Sequence, residues 1–120
     1  MKKILVLDDD KNNLEIVSYI LNEFGYDVLT RCCGDTVFDD IRIYQPDLIL
    51  MDVMLAGYDG REICRAIKEN VLTKSLPIIL VSGAYDLTES LNLPGGPNGC
   101  IAKPYNMDVL LSCVAKQLIA

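Results

Sequence analysis

The sequence predicts an α/β domain in which five strands alternate with five helices, the strands forming a doubly wound parallel sheet with helices on both faces. Two observations carry this. First, four short apolar runs, Ile4–Leu7, Leu48–Met51, Ile78–Val81 and Cys100–Ala102, have the length and unbroken apolar character of strands covered on both sides. Second, the segments between them carry apolar residues at helical spacing, and strictly alternating elements require parallel pairing with right-handed crossovers. A chain of 120 residues with 51% apolar content can bury one core without disulfides or structural metal.

Strand one spans about Lys3 to Asp8. Helix one runs from near Asn12 to Phe24, with Asp10 as its N-cap, and Leu14, Val17, Leu21 and Phe24 on one face. Gly25 suits the C-terminal stop. Strand two, Tyr26 to Arg31, is partly polar, as an edge strand would be. Helix two is capped by Asp35, turns Val37, Ile41 and Tyr44 inward, and ends before Pro46. Strand three is Asp47 to Asp52, followed by the loop Ala56-Gly57-Tyr58-Asp59-Gly60. Helix three presents Ile63, Ile67 and Val71. Pro77 opens strand four, which ends at Ser82. Leu87 and Leu91 predict a short helix four capped by Asp86 or Thr88, while the segment from Leu93 to Gly99, with Pro94, Gly95, Gly96 and Pro97, is excluded from regular helix. Strand five is Cys100 to Lys103, and Asn106 caps helix five, where Leu110, Val114 and Leu118 recur. Residues 1–120 read as a single domain.

Composition excludes several functions. A net charge of −6 argues against direct nucleic-acid binding, which requires a basic face. No apolar run approaches the roughly 18 residues of a membrane span, and three aspartates interrupt the start before a signal-peptide core can form; a cytoplasmic protein is expected. The five cysteines, at 32, 33, 64, 100 and 113, lack metal-binding or redox spacing and read as reduced apolar residues. The chain contains no histidine, so histidine triads are excluded and it cannot carry a phosphohistidine.

Each central strand delivers a polar group at its carboxyl end: Asp8, Asp9 and Asp10 after the first, Asp52 after the third, Ser82 after the fourth, Lys103 after the fifth. In open α/β sheets ligands bind at that edge, and in the strand order 2-1-3-4-5 strands one and three are neighbours. Asp8 and Asp9 would then stand beside Asp52. Three adjacent carboxylates repel one another, and a Mg²⁺ ion with its preference for oxygen ligands is the economical counter-charge.

The stretches ILVLDDD (4–10), PDLILMDVMLAGYDG (46–60), PIILVSGA (77–84) and IAKP (101–104) resemble the receiver domains of two-component response regulators, a flavodoxin-like fold, over essentially the whole chain. The resemblance implies a phosphorylation-dependent switch. Asp52 would be the phosphoacceptor, taking a phosphoryl group from a histidine kinase or phosphotransfer protein. Asp9 would be a direct Mg²⁺ ligand, Asp8 would hold a metal-bound water, and the Met54 carbonyl would complete the protein's coordination. Lys103 and Ser82 would contact phosphoryl oxygens, the Lys103-Pro104 bond being typically cis in the family. The aspartyl phosphate would hydrolyse slowly in the same site, so the protein would not be a turnover enzyme. An output partner would use the face formed by helix four, strand five and helix five. One departure stands there: the family's switch aromatic is replaced by Cys100, and residues 93–99 are expected to carry the change instead.

Three other functions share parts of this pattern. A haloacid-dehalogenase-like phosphatase also has Asp-x-Asp after strand one, but Asn12 stands where Thr or Val is usual, and no acidic pair follows the lysine. A degenerate receiver, acting only as a constitutive binding module, would lack some of the five site groups that this chain retains. A flavodoxin-like FMN carrier would need a Ser/Thr/Gly-rich phosphate loop where the aspartates stand.

Overall fold

A computed structural model describes residues 1–83 and 86–119. Its elements in chain order are β1 (Lys3–Leu7), α1 (Lys11–Glu23), β2 (Asp27–Arg31), α2 (Val37–Tyr44), β3 (Leu48–Asp52), β4 (Met54–Leu55), β5 (Tyr58–Asp59), α3 (Gly60–Glu69), β6 (Ile78–Ser82), β7 (Gly99–Ala102) and α4 (Met107–Leu118). The main sheet is five-stranded, β2-β1-β3-β6-β7, and parallel throughout. This is the expected order 2-1-3-4-5. β4 and β5 form a separate two-residue antiparallel pair within what the sequence marks as a loop.

Alternation along each strand divides the core in two. Ile4, Val6, Leu48, Leu50, Ile79 and Val81 face α1 and α4, where Leu14, Val17, Leu21, Leu110 and Val114 meet them. Leu5, Leu7, Ile49, Met51, Ile78 and Leu80 face α2 and α3, packing on Val37, Cys64 and Ile67. Every residue of β3 and β6 is buried, whereas every residue of β2 is only partly so, which matches the predicted edge strand.

Local signals set most helix ends. Asp10 accepts from the backbone N–H groups of Asn12 (3.0 Å) and Asn13 (3.3 Å) and caps α1, and Gly25 follows at φ 88°. Asn106 caps α4 through the Val109 N–H at 2.9 Å. The cap expected from Asp35 is not formed. Thr36 is the first residue outside α2 and makes no side-chain cap; its hydroxyl donates instead to Asp40 at 2.9 Å. In α3 the inward face is Gly60, Cys64 and Ile67. Val71 falls beyond the helix end and is 74% exposed.

The predicted fourth helix is reduced to one 3₁₀ turn, Thr88–Ser90, so four α-helices are present among the described residues. Short polar side chains bind the backbone locally and compete with helix. Asp86 accepts from the N–H (3.0 Å) and hydroxyl (2.7 Å) of Thr88, and the Ser90 hydroxyl donates to the Leu87 carbonyl at 2.7 Å. Asn92 then enters the left-handed region at φ 60°, and two prolines follow. The segment after it is nevertheless anchored. Asn98 accepts from the Ile78 N–H at 2.9 Å and from Lys68 Nζ at 2.6 Å, and its carbonyl accepts from Gln117 at 3.1 Å.

The start of α3 depends on one glycine. A Cβ on Gly60 would lie 2.2 Å from the Asp52 carbonyl oxygen and 3.0 Å from Val53 Cα, both backbone atoms that cannot yield separately from the sheet. The Gly60 N–H also donates to the Val53 carbonyl at 2.7 Å. Gly60→Ala is therefore expected to lower unfolding free energy by about 2 kcal/mol or more, in line with overpacking against an unyielding wall. Gly57→Ala, at φ 75° with nothing within 4 Å of its Cβ, should cost about 1 kcal/mol. Urea titration of both variants checks the ranking.

Candidate functional site

The carboxyl ends of β1, β3, β6 and β7 converge. Asp8 follows β1 and is buried (3% exposed), Asp52 ends β3 (5%), Ser82 ends β6 (4%), and Asp9 beside them is exposed. One carboxylate oxygen from each of Asp8, Asp9 and Asp52 lies within 4.8 Å of the other two. Lys103, immediately after β7, places Nζ 2.8 Å from Asp52 Oδ2. The Lys103-Pro104 bond is cis, and the Lys103 N–H donates to the Ser82 carbonyl at 2.9 Å. Thus Asp8, Asp9, Asp52, Ser82 and Lys103, separated by up to 95 positions, all stand at one edge of the sheet. Met54 is in β4, two residues past Asp52, with an exposed side chain.

Burial and like charge act together at this edge. Burial pushes the Asp52 carboxyl up to about 7 from an ordinary 3.8. The hydrogen bond from Lys103 opposes that rise and the Asp8 carboxylate adds to it. Burial pulls the Lys103 ammonium down, but its bond to Asp52 and the neighbouring carboxylates outweigh this and leave it raised. One ammonium thus leaves three carboxylates undercompensated. A hard divalent cation fits such an all-oxygen donor set, and these three side chains could hold one.

Two residues that the sequence reading passed over shape the site. Asn13, in the first turn of α1, donates through Nδ2 to Asp8 Oδ2, while the Asp10 N–H takes Asp8 Oδ1 at 3.0 Å. Its signal was a polar residue three positions after a cap and beside the inward Leu14. Gly60 lets α3 begin against the end of β3, and the Asp-Gly pair 59–60 was its only trace. Asp59 caps that helix through the Arg61 N–H at 2.8 Å and pairs with the Arg61 guanidinium at 2.7 Å, which holds the Asp59 carboxyl below the usual range.

The response regulator receiver domain profile matches residues 4–115. The chain belongs to the receiver domain family. It is similar to a putative response regulator from Chloroflexus aurantiacus (29% identity, TM-score 0.88, covering 99% of this chain and 98% of that one). It is also similar to the signal receiver domain of a signal transduction histidine kinase from Syntrophus aciditrophicus (30%, 0.87, 98% and 90%). A third similar structure is the BeF₃-activated N-terminal receiver domain of Klebsiella pneumoniae RstA (28%, 0.85, 99% and 100%). This receiver domain thus has the flavodoxin-like fold expected from its strand order. As a family, receiver domains are signalling domains of two-component systems rather than turnover enzymes, and they bind Mg²⁺ through acidic residues. No helix among the described residues is long and apolar enough to cross a membrane.

The raised Asp52 pKa sets a pH dependence. Folding is favoured by Asp52 while the folded state holds its proton, so that contribution is complete below about 3.8, falls as pH rises through about 7, and is gone above. Asp52→Asn mimics the protonated form. Without divalent cation, the variant's stability relative to wild type should rise by roughly 3 kcal/mol between pH 4 and pH 8. Urea unfolding of both proteins at the two pH values measures this, and added Mg²⁺ should narrow the gap at pH 8.

Proposed function

We propose that Asp52 accepts a phosphoryl group from a partner's phosphohistidine and that the resulting aspartyl phosphate switches the domain between signalling states. The observation that supports this most directly is a buried carboxylate at a strand end, held 2.8 Å from Lys103 Nζ and beside Asp8 and Asp9. In this reading residues 1–120 are one receiver domain of a cytoplasmic phosphorelay, served by a sensor histidine kinase or a phosphotransfer protein.

Each residue has a role with a physical reason. Asp52 is the nucleophile: its carboxylate oxygen forms the new P–O bond as the P–N bond to the partner's imidazole breaks, and the imidazole nitrogen leaves with the electron pair. An anion must therefore approach an anionic group. Lys103 offsets that repulsion and pairs with a phosphoryl oxygen. Ser82 donates its hydroxyl to another. Asp8, Asp9, Asp52 and the Met54 carbonyl would hold Mg²⁺, which supplies charge neutralisation for the transferring phosphoryl group. Water later hydrolyses the acyl phosphate, returning Asp52 and inorganic phosphate.

Release of the signal would follow the charge. Phosphorylation brings roughly −1.5 to −2 charges and three acceptor oxygens, drawing Ser82 and Lys103 toward the new group. Both line a cleft of about 330 Å³ with Asp86, Leu87, Thr88 and Cys100. Cys100 is too small to fill this cleft, so residues 83–106, including 93–99, take up the change and present it to an output partner on the β7 and α4 face.

Incubation with acetyl phosphate and Mg²⁺ is expected to add one phosphoryl group by intact mass. The addition should vanish in Asp52→Ala and without Mg²⁺, and its initial rate should fall about 100-fold in Lys103→Ala. Free phosphate released steadily in an Asp8-dependent, Asp52-independent manner would instead mark a phosphatase. Hydrogen exchange on the same samples, with and without beryllofluoride, should differ within 93–99; identical exchange there would remove this segment from the switch.

A further inference from the structure

Asp8 is held in a way that its place after β1 does not require. It is 3% exposed, and both its oxygens accept hydrogen bonds from the α1 N-terminus: Oδ1 from the Asp10 N–H at 3.0 Å and Oδ2 from Asn13 Nδ2. Asn13 is itself fixed, because its backbone N–H donates to the Asp10 carboxylate at 3.3 Å. The three residues form a closed set in which Asp10 orders the first turn and that turn grips Asp8. Tyr105, which follows the Lys103-Pro104 pair, packs on the same α1/α4 core.

A carboxylate oxygen has two lone-pair directions. The two N–H donors account for one direction on each oxygen of Asp8. Rotation of the carboxylate about its Cβ–Cγ bond would break both bonds at a side chain that is itself only 3% exposed. The carboxylate is thereby held in place, with one of its oxygens within 4.8 Å of oxygens of Asp9 and Asp52. We infer that Asn13 is a positioning residue for the divalent cation, acting through Asp8 by locking its carboxylate toward the site shared with Asp9 and Asp52. The inference rests on the cation-binding reading above and deepens it. It also explains why a polar side chain occupies a first-turn position next to the buried Leu14.

Outer-shell partners of metal ligands typically contribute 10- to 100-fold in metal affinity. Mg²⁺ titration calorimetry on the full chain tests the inference without relying on phosphorylation. Asn13→Ala is expected to weaken Mg²⁺ binding about 10-fold. Asn12→Ala, at an exposed neighbour with the same gain in helix propensity, should leave it unchanged. In an Asp8→Asn background, Asn13→Ala should have no further effect, since contacting residues that act through one another are not additive. Equal or tighter Mg²⁺ binding by Asn13→Ala would overturn the inference, tighter binding meaning that the amide competes with the cation for Oδ2. An Asn13 effect that persists undiminished without the Asp8 carboxylate would overturn it too, by showing a general loss of structure. Absence of Mg²⁺ binding by the wild-type protein would overturn the functional reading itself, a result distinct from both.

Discussion

Parallel pairing forces the carboxyl ends of all five strands onto one edge, and the molecule is arranged around what that edge must hold. Burial of both sheet faces leaves β3 and β6 with no exposed residue, so polar groups can emerge only at strand ends. There they meet: two buried aspartates, one exposed one, a buried serine and a lysine. Moving carboxylates out of water and toward one another is costly, and the structure offsets the cost only in part, through one ammonium at 2.8 Å and N–H donors on Asp8. The Asp52 carboxyl, raised to about 7, registers the remainder. A site left short of positive charge has the donor set that suits a hard divalent cation.

The surrounding elements serve that site at close quarters. α3 starts against the last residue of β3, which only glycine at position 60 permits. α1 starts against the last residues of β1 and hands two donors to Asp8. β7 ends at Lys103, whose own N–H bonds the Ser82 carbonyl. The contacts that start these helices are thus the contacts that shape the candidate site.

The region after β6 obeys different constraints. Side-chain bonds from Asp86 and Ser90 confine helix to a single 3₁₀ turn, Leu87 enters the α2/α3 core, and Asn98 ties the returning chain to β6, α3 and α4. The result is an anchored connection over a cleft lined by Cys100 rather than a full helix. Any output through this face passes across a surface unlike that of a domain with an intact fourth helix.

Apolar runs of four residues, helical spacing between them and polar groups at their ends were enough to read the strands, the parallel order and the residues now seen together, because these features are local or follow from topology. Turn chemistry read less well. Asp35 reads as the cap of α2, but the helix begins one residue later and lacks a side-chain cap, and Val71 carried helical spacing past the point where Asn70 ends α3. The expected short fourth helix is cut to one 3₁₀ turn because hydrogen bonds to Asp86 and from Ser90 close the backbone locally. Membership of the receiver family, the sheet and the list of chemical groups lay in the sequence by itself. The tertiary structure alone decided the burial of Asp52 beside Lys103, the clearance at Gly60 and the grip of Asn13 on Asp8, since each depends on distances that only folding sets.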